Sequence, residues 1–250
     1  MELRSYLSTI KEVLSNKNVF AISFTSGLYM LVMMMWSPFW AKYMKDYLGA
    51  TTPIIGMFSM ISTAEALIFQ LPGGIFADRY GRRNIILLGT FLRTLSPIIY
   101  FLAPSWEWII LGAIANGTMS LYMPAFNAII ADSLPKNNRG AGYGAYNTIT
   151  NIPMMISPMV GGFIIEYMGY YDGVRIFLVL QVAISLIVTL IRWRMIRETV
   201  KPQPQGERPS LIPRASMIRE FPQSIKVMIV VAIIGSFSSR LVFDFTSLYA

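Results

Sequence analysis

Two sets of residues in this chain could do chemistry: a dense charged turn between apolar runs, and single charges inside those runs. The turn reads Gly73-Gly74-Ile75-Phe76-Ala77-Asp78-Arg79-Tyr80-Gly81-Arg82-Arg83. Asp78 ends the helix before it, Gly81 supports the turn, and Arg82 and Arg83 begin the next helix. Both signs oppose their helix dipoles, which favour acids at N-termini and bases at C-termini. Such charges need partners, and a site that depends on partners can act as a latch. Glu65 and Arg93 lie inside apolar runs. Counted from the turn at 1.5 Å per residue, Glu65 stands about 20 Å beyond Asp78 and Arg93 about 15 Å beyond Arg83, so their depths nearly match. This predicts either an ion pair between neighbouring helices or a carboxyl that exchanges protons. With no cysteine and no histidine, most zinc, haem and thiol chemistry is excluded, and no metal or cofactor is expected. There is no nucleophile–base set and no nucleotide-binding P-loop, so neither an enzyme nor an ATP-driven pump is expected.

These charges are few among 250 residues that are 54% hydrophobic and only 14% charged, with a mean hydropathy of +0.52. A soluble domain carries about 25% charged residues, so the composition predicts an all-α membrane protein. Apolar segments at 18–41, 53–77, 84–103, 106–131, 142–166 and 173–192 are each near the roughly 20 residues that cross a bilayer. Before them, residues 1–17 put Leu3, Leu7, Ile10 and Leu14 on one face, as in an amphipathic lead-in helix at the membrane surface. They show no apolar core or cleavage site of a signal peptide.

The net charge of +8 falls in loops rather than on a soluble face, which argues against nucleic acid as a partner and for the lipid bilayer. Arg4, Lys11 and Lys17 precede the first span. Arg79, Arg82 and Arg83 follow the second, Lys136 and Arg139 the fourth, and Arg192, Arg194 and Arg197 the sixth. The alternate loops hold only Lys42, Lys45 and Arg175. The positive-inside rule therefore predicts a multi-pass protein of the cell membrane with its N-terminus and central loop cytoplasmic. That loop, 193–221, is basic and rich in proline (Pro202, Pro204, Pro209, Pro213), as in an extended spacer. A further apolar run occupies 222–250, where Arg240 and Asp244 stand at i, i+4 and could pair. It is expected to be the incomplete start of a second bundle, in a fragment of a longer chain.

An internal repeat supports this organisation. Gly73-Gly74-Ile75-Phe76-Ala77-Asp78-Arg79-Tyr80-Gly81 aligns with Gly161-Gly162-Phe163-Ile164-Ile165-Glu166-Tyr167-Met168-Gly169, 88 residues on. Trp36-Ser37-Pro38 similarly matches Tyr122-Met123-Pro124, 86 residues on. Spans one to three and four to six then form two copies of one unit. An odd number of spans per copy inverts the second.

The stretch from Gly74 to Arg83 resembles the signature of the major facilitator superfamily between its second and third helices, G-x-L-A-D-R-x-G-R-R, departing only at Phe76. The resemblance implies the superfamily fold: a six-helix N-terminal bundle of two inverted three-helix repeats, a central loop and a chain truncated in helix seven. It further implies a relay of Asp78 and Arg82 with an acid at the end of span four, which would be Asp132, locking the two halves in an outward-open state. Gly74, Arg79, Gly81 and Arg83 complete the signature. The alternative is that the arginines only satisfy the positive-inside rule, which by itself needs neither Asp78 nor the glycines. In span five, Gly144, Pro153, Pro158, Gly161 and Gly162 resemble the superfamily's antiporter motif, with Pro153 in place of asparagine and Ser157 in place of the glycine before Pro158. Close helix packing through glycine is the competing reading. The exporter motif R-x-x-Q-G is damaged in span four, where Ala113 stands for the arginine beside Asn116 and Gly117. Arg93 could supply the missing cation.

The resemblance also implies a central cavity lined by spans one, two, four and five. Tyr29, Met33, Trp36 and Trp40 share one face of span one, Asn116, Ser120, Met123 and Asn127 one face of span four, and Asn147, Asn151 and Met154 one face of span five. Aromatic and methionine side chains accommodate varied apolar ligands, although lipid-facing or interhelical packing explains any one of them as well. The expected function is secondary active transport of a small molecule by alternating access, with export of amphipathic compounds or metabolites by multidrug-type efflux and proton antiport. The partners would be a substrate and protons, and the full-length protein would be monomeric. The alternatives are a sugar or organic-anion facilitator or symporter, and a six-span half-size protein acting as a scaffold or dimer.

Overall fold

The computed structural model describes residues 14–136 and 139–199, with isolated positions at 11 and between 222 and 235. The lead-in before residue 11, the linker from 200 to 221, and Arg240 and Asp244 lie outside the described residues.

The described chain is helical, without strands among the described residues. It forms α1 (Lys17–Trp36), a 3₁₀ turn (Ser37–Phe39), α2 (Trp40–Tyr47), α3 (Thr52–Tyr80), α4 (Arg82–Arg93), α5 (Leu95–Leu102), α6 (Glu107–Asp132), α7 (Arg139–Met168) and α8 (Tyr170–Met195). These elements make six rods. Span one joins α1, the 3₁₀ turn and α2, because Pro38 lacks the N–H that a continuous helix needs. Spans two, four, five and six are α3, α6, α7 and α8, and span three is α4 followed by α5. Five of the rods are long and apolar enough to cross a membrane. Span two is a helix of 29 residues, and its apolar character among the described residues is seen at Thr52–Ser62.

Span six runs to Met195, past the expected boundary at 192. Arg192 is therefore not a loop residue: it is 3% exposed, inside the bundle. Of the other basic residues there, Arg194 in the last turn of span six and Arg197 after it are exposed.

Packing repeats the sequence repeat. Span four lies against spans two and three, and span one lies against spans five and six. A Cβ on Gly73 would fall on the carbonyl oxygen of Leu121, and a Cβ on Gly161 would fall on that of Met35. Leu121 follows Met35 by 86 residues and Gly161 follows Gly73 by 88, so one contact is made twice by equivalent positions. The turns repeat as well. Gly81 and Gly169, at φ +91° and +87°, start spans three and six, and this left-handed backbone favours glycine. Two inverted three-helix units therefore face each other through glycines that let helix backbones touch.

Two apolar clusters fill the bundle. One holds Ile22, Ile86, Phe126 and Ile129 toward the end that carries the charged turn. The other holds Trp36, Trp40, Tyr43, Tyr100 and Phe177 toward the opposite end.

Candidate functional site

The charged turn gathers the ends of three spans. Arg82, at the start of α4, forms an ion pair with Asp132 at the end of α6. Its Nε lies 4.0 Å from Asp78 at the end of α3. The structure thus brings together all three relay residues expected from the sequence. Asp78 is half exposed and Arg82 largely covered, with side chains 51% and 16% exposed, so Asp132 is the closer and drier partner.

Residues after span six complete this cluster, and sequence reasoning missed them. The Thr199 hydroxyl lies 3.3 Å from Asp132 Oδ2 and 3.4 Å from Arg82 Nη1, donating to the first and accepting from the second. The Glu198 carboxylate accepts the Arg83 backbone N–H at 3.0 Å. Arg83 itself donates to the carbonyls of Ile196 at 2.8 Å and Trp193 at 2.7 Å. The unfavourable helix-end charges are resolved in this way: Arg83 sits on the C-terminal carbonyls of span six, and Glu198 supplies an anion to the N-terminal amides of α4. Of the remaining signature residues, Arg79 lies 5.4 Å from the centre of the Tyr80 ring with its Nε buried and unpartnered. Gly74 packs against Pro124, 3.8 Å from where its Cβ would be. Asn18 ties the start of α1 to the same end, bonding the Ser133 hydroxyl at 3.1 Å and the backbone of Arg197 at 2.8 Å.

A cavity of about 580 Å³ opens farther into the bundle. It is lined by Tyr29, Met33, Trp36 and Trp40 of span one, Glu65 of span two, Arg93 and Tyr100 of span three, and Asn116 and Ser120 of span four. Six of the eleven residues expected on the cavity faces (Tyr29, Met33, Trp36, Trp40, Asn116, Ser120) meet there. Met123 lines an adjoining void of about 10 Å³, room for one water. Asn127, Asn147 and Asn151 are exposed on the bundle and do not line the cavity.

Glu65 and Arg93 do not form the expected ion pair. Arg93 is 4% exposed and donates to Asn116 Oδ1 at 3.2 Å, the Tyr122 hydroxyl at 3.2 Å and Met33 Sδ at 3.6 Å, with its guanidinium 3.8 Å from the centre of the Tyr29 ring. Glu65 is 7% exposed, and its Oε1 has no hydrogen-bond partner. It lies against Gly117, where a Cβ would come within 2.8 Å of Oε2. The depth count holds, since the two charges meet consecutive residues of α6. Consecutive helix positions point about 100° apart, however, so the two side chains meet span four at different angles. Arg93 also brings a cation to Asn116, beside the position where Ala113 leaves the exporter motif without its arginine.

Arg192 is a second buried cation that sequence reasoning took for a loop residue. It donates to Thr25 at 3.0 Å, Thr90 at 2.7 Å and Ser26 at 3.2 Å, and stacks 4.6 Å from the centre of the Phe126 ring. Hydroxyl residues inside apolar runs were the available signal. In span five, Pro153 frees the Ile149 carbonyl, which packs 2.8 Å from where a Gly27 Cβ would stand. Ser157 bonds back to the Pro153 carbonyl, and Gly162 rests against Phe39. Pro158 is half-buried beside them. Gly144 has nothing within 4 Å of its Cβ position. Gly161 and Gly162 thus lie at the contact between spans one and five, and Gly144 does not.

Comparison with known proteins agrees with this architecture. Quinolone resistance protein NorA of Staphylococcus aureus is 27% identical over 152 residues, covering 60% of this chain and 39% of that protein. An uncharacterised MFS-type transporter of Methanocaldococcus jannaschii is 29% identical over 154 residues, covering 61% and 40%. The chain thus spans about two fifths of the length of these curated relatives. Among solved structures, the human organic anion transporter MFSD10 superposes with a TM-score of 0.61 at 16% identity, covering 80% of this chain and 51% of that one. A bacterial homologue of the human lysosomal transporter Spinster, inward-facing, gives 0.62 at 18% identity, covering 76% and 46%. The sequence profile described as Major Facilitator Superfamily matches residues 22–250. With the doubled glycine contact supplying the inverted repeat and the profile covering most of the sequence, the chain belongs to the Major Facilitator Superfamily.

Proposed function

We propose that the protein acts in secondary active transport by alternating access, exporting small amphipathic compounds in exchange for protons across the cell membrane, with its N-terminus and the loop after span six cytoplasmic. The observation that carries this reading is the ionic cluster of Asp78, Arg82 and Asp132, which joins the ends of three spans at one end of the bundle. Exposed ion pairs are worth only about 0–1 kcal/mol, so such a cluster can open and close at little cost to the fold. The cavity gives the gate something to control. Its methionine and aromatic walls suit an amphipathic cargo, and Glu65, with one unpartnered oxygen in the cavity wall, can carry a proton. The resemblance to a quinolone resistance protein supports export.

The test is uptake of a substrate panel into inverted vesicles containing the full-length protein, with and without a proton gradient. Accumulation of amphipathic compounds that collapses with the gradient is expected. Accumulation unaffected by the gradient would refute proton antiport, and no accumulation of any compound would refute transport.

A further inference from the structure

Glu65 and Arg93 face one cavity without neutralising each other. Both are more than nine-tenths buried. Glu65 has an oxygen with no partner. The N–H groups of Arg93 reach an amide, a phenol and a thioether, and its guanidinium lies on the Tyr29 ring, all neutral groups that supply no counter-charge. Burying a charge without a counter-charge is costly, and Arg93 carries that cost in the same space of about 580 Å³ that holds the unpartnered Glu65 oxygen. A direct pair between spans two and three would have removed it. Instead each side chain engages span four, the carboxyl against Gly117 and the guanidinium on Asn116.

A ligand can do what the two side chains cannot. Its amine would give Glu65 a donor, its acid would give Arg93 a counter-charge, and each is a charge-assisted hydrogen bond, the stronger class. Between the two charges the wall is apolar and aromatic, with Trp36, Trp40, Phe58 and Tyr100 on it. We infer that the cavity binds zwitterionic amphiphiles, small molecules with an amine at one end, a carboxylate at the other and an apolar body between, bridging Glu65 and Arg93. This rests on the transport reading of the cavity but goes beyond it in naming the charge pattern of the cargo.

The experiment uses the full-length protein, purified and reconstituted, with matched probes: 4-(aminomethyl)benzoic acid, its methyl ester (amine only) and 4-methylbenzoic acid (acid only). A second set replaces aminomethyl by 4-aminobutyl to lengthen the charge spacing. Binding is read from quenching of Trp36 and Trp40, which line the cavity, and flux is measured separately in the same vesicles. At one spacing the zwitterion should bind at least about tenfold more tightly than either singly charged analogue, the low end of what a lost charge-assisted hydrogen bond costs. Glu65→Gln, which keeps shape at an atom that has no partner to lose, should make the zwitterion bind no better than the acid-only analogue. Equal binding of zwitterion and singly charged probes, or no saturable binding at either spacing, overturns the inference. Zwitterion-selective binding without flux supports the inference while refuting transport, and flux without charge selectivity does the reverse.

Discussion

Arg83 stands at a helix N-terminus, where a cation is unfavourable, and is held there because its guanidinium reaches the end carbonyls of a different helix. Arg82 has no such carbonyl partner and depends on two carboxylates. The two neighbouring arginines therefore differ in kind: Arg83 is held by backbone carbonyls and Arg82 by side-chain carboxylates. Asp132→Asn should leave thermal stability in detergent within about 1 kcal/mol, as for other solvent-exposed pairs, yet lower substrate flux severalfold or more. Asp78→Asn should also lower flux strongly while insertion stays intact, and wild-type flux in both variants would remove the latch. Arg83→Ala should act differently, costing about 1–3 kcal/mol of stability by leaving the carbonyls of Trp193 and Ile196 without their charged donor; thermal unfolding of the two classes of variant side by side separates them. For Glu65, the unpartnered oxygen predicts that Glu65→Gln folds like the parent and loses the dependence of transport on external pH. Unchanged pH dependence in a folded Glu65→Gln protein would assign proton exchange elsewhere.

At the scale of elements, the doubled contacts Gly73–Leu121 and Gly161–Met35 set how closely span two meets span four and span five meets span one. Both receiving atoms are backbone carbonyl oxygens, which cannot rotate away as a side chain can. Gly73→Leu or Gly161→Leu should therefore force the helices apart, at about 1–3 kcal/mol or more by overpacking, seen as a lower unfolding temperature. Gly144→Ala, with nothing within 4 Å of the new Cβ, should be silent in the same assay or slightly stabilising, since alanine favours the helix. These contacts also explain what could be read in advance. The 88-residue echo of Gly73-Gly74 carried the fold, because close backbone approach demands glycine and glycine is visible in a sequence. Helix depth was equally legible, which put Glu65 and Arg93 correctly at one level. The angle around the helix was not, because it depends on how spans two and three each pack against span four, and only packing decides that. Arg192 was misread for a related reason. Its partners Thr25, Ser26 and Thr90 come from two other spans, and a positive charge near the end of an apolar run looks the same whether it faces water or three hydroxyls.

At the scale of the whole molecule, the inverted repeat makes a claim about sides. The turn at Gly81 and its counterpart at Gly169 share a backbone conformation but lie after spans two and five, so inversion puts them on opposite faces of the membrane. Their charges agree with that placement. Arg79, Arg82 and Arg83 surround the first, while Glu166 to Asp172 contain no lysine or arginine, the asymmetry expected of a cytoplasmic and an outer loop. Three exposed positions make this testable, and the absence of native cysteine from the 250 residues leaves little background for thiol labelling in this region. Cysteine placed singly at Asn84 or Lys136, near the ends of spans two, three and four, should react with a membrane-impermeant maleimide only in inverted vesicles. Cysteine at Tyr167, which is 92% exposed at the end of span five, should react only in right-side-out cells. Labelling of all three positions from one side would contradict the inversion, and a clean exchange of the two sides would keep the fold but reverse the orientation. In that last case the Arg82–Asp132 cluster would close the outer mouth instead of the inner one, and the direction of gating would have to be reversed with it.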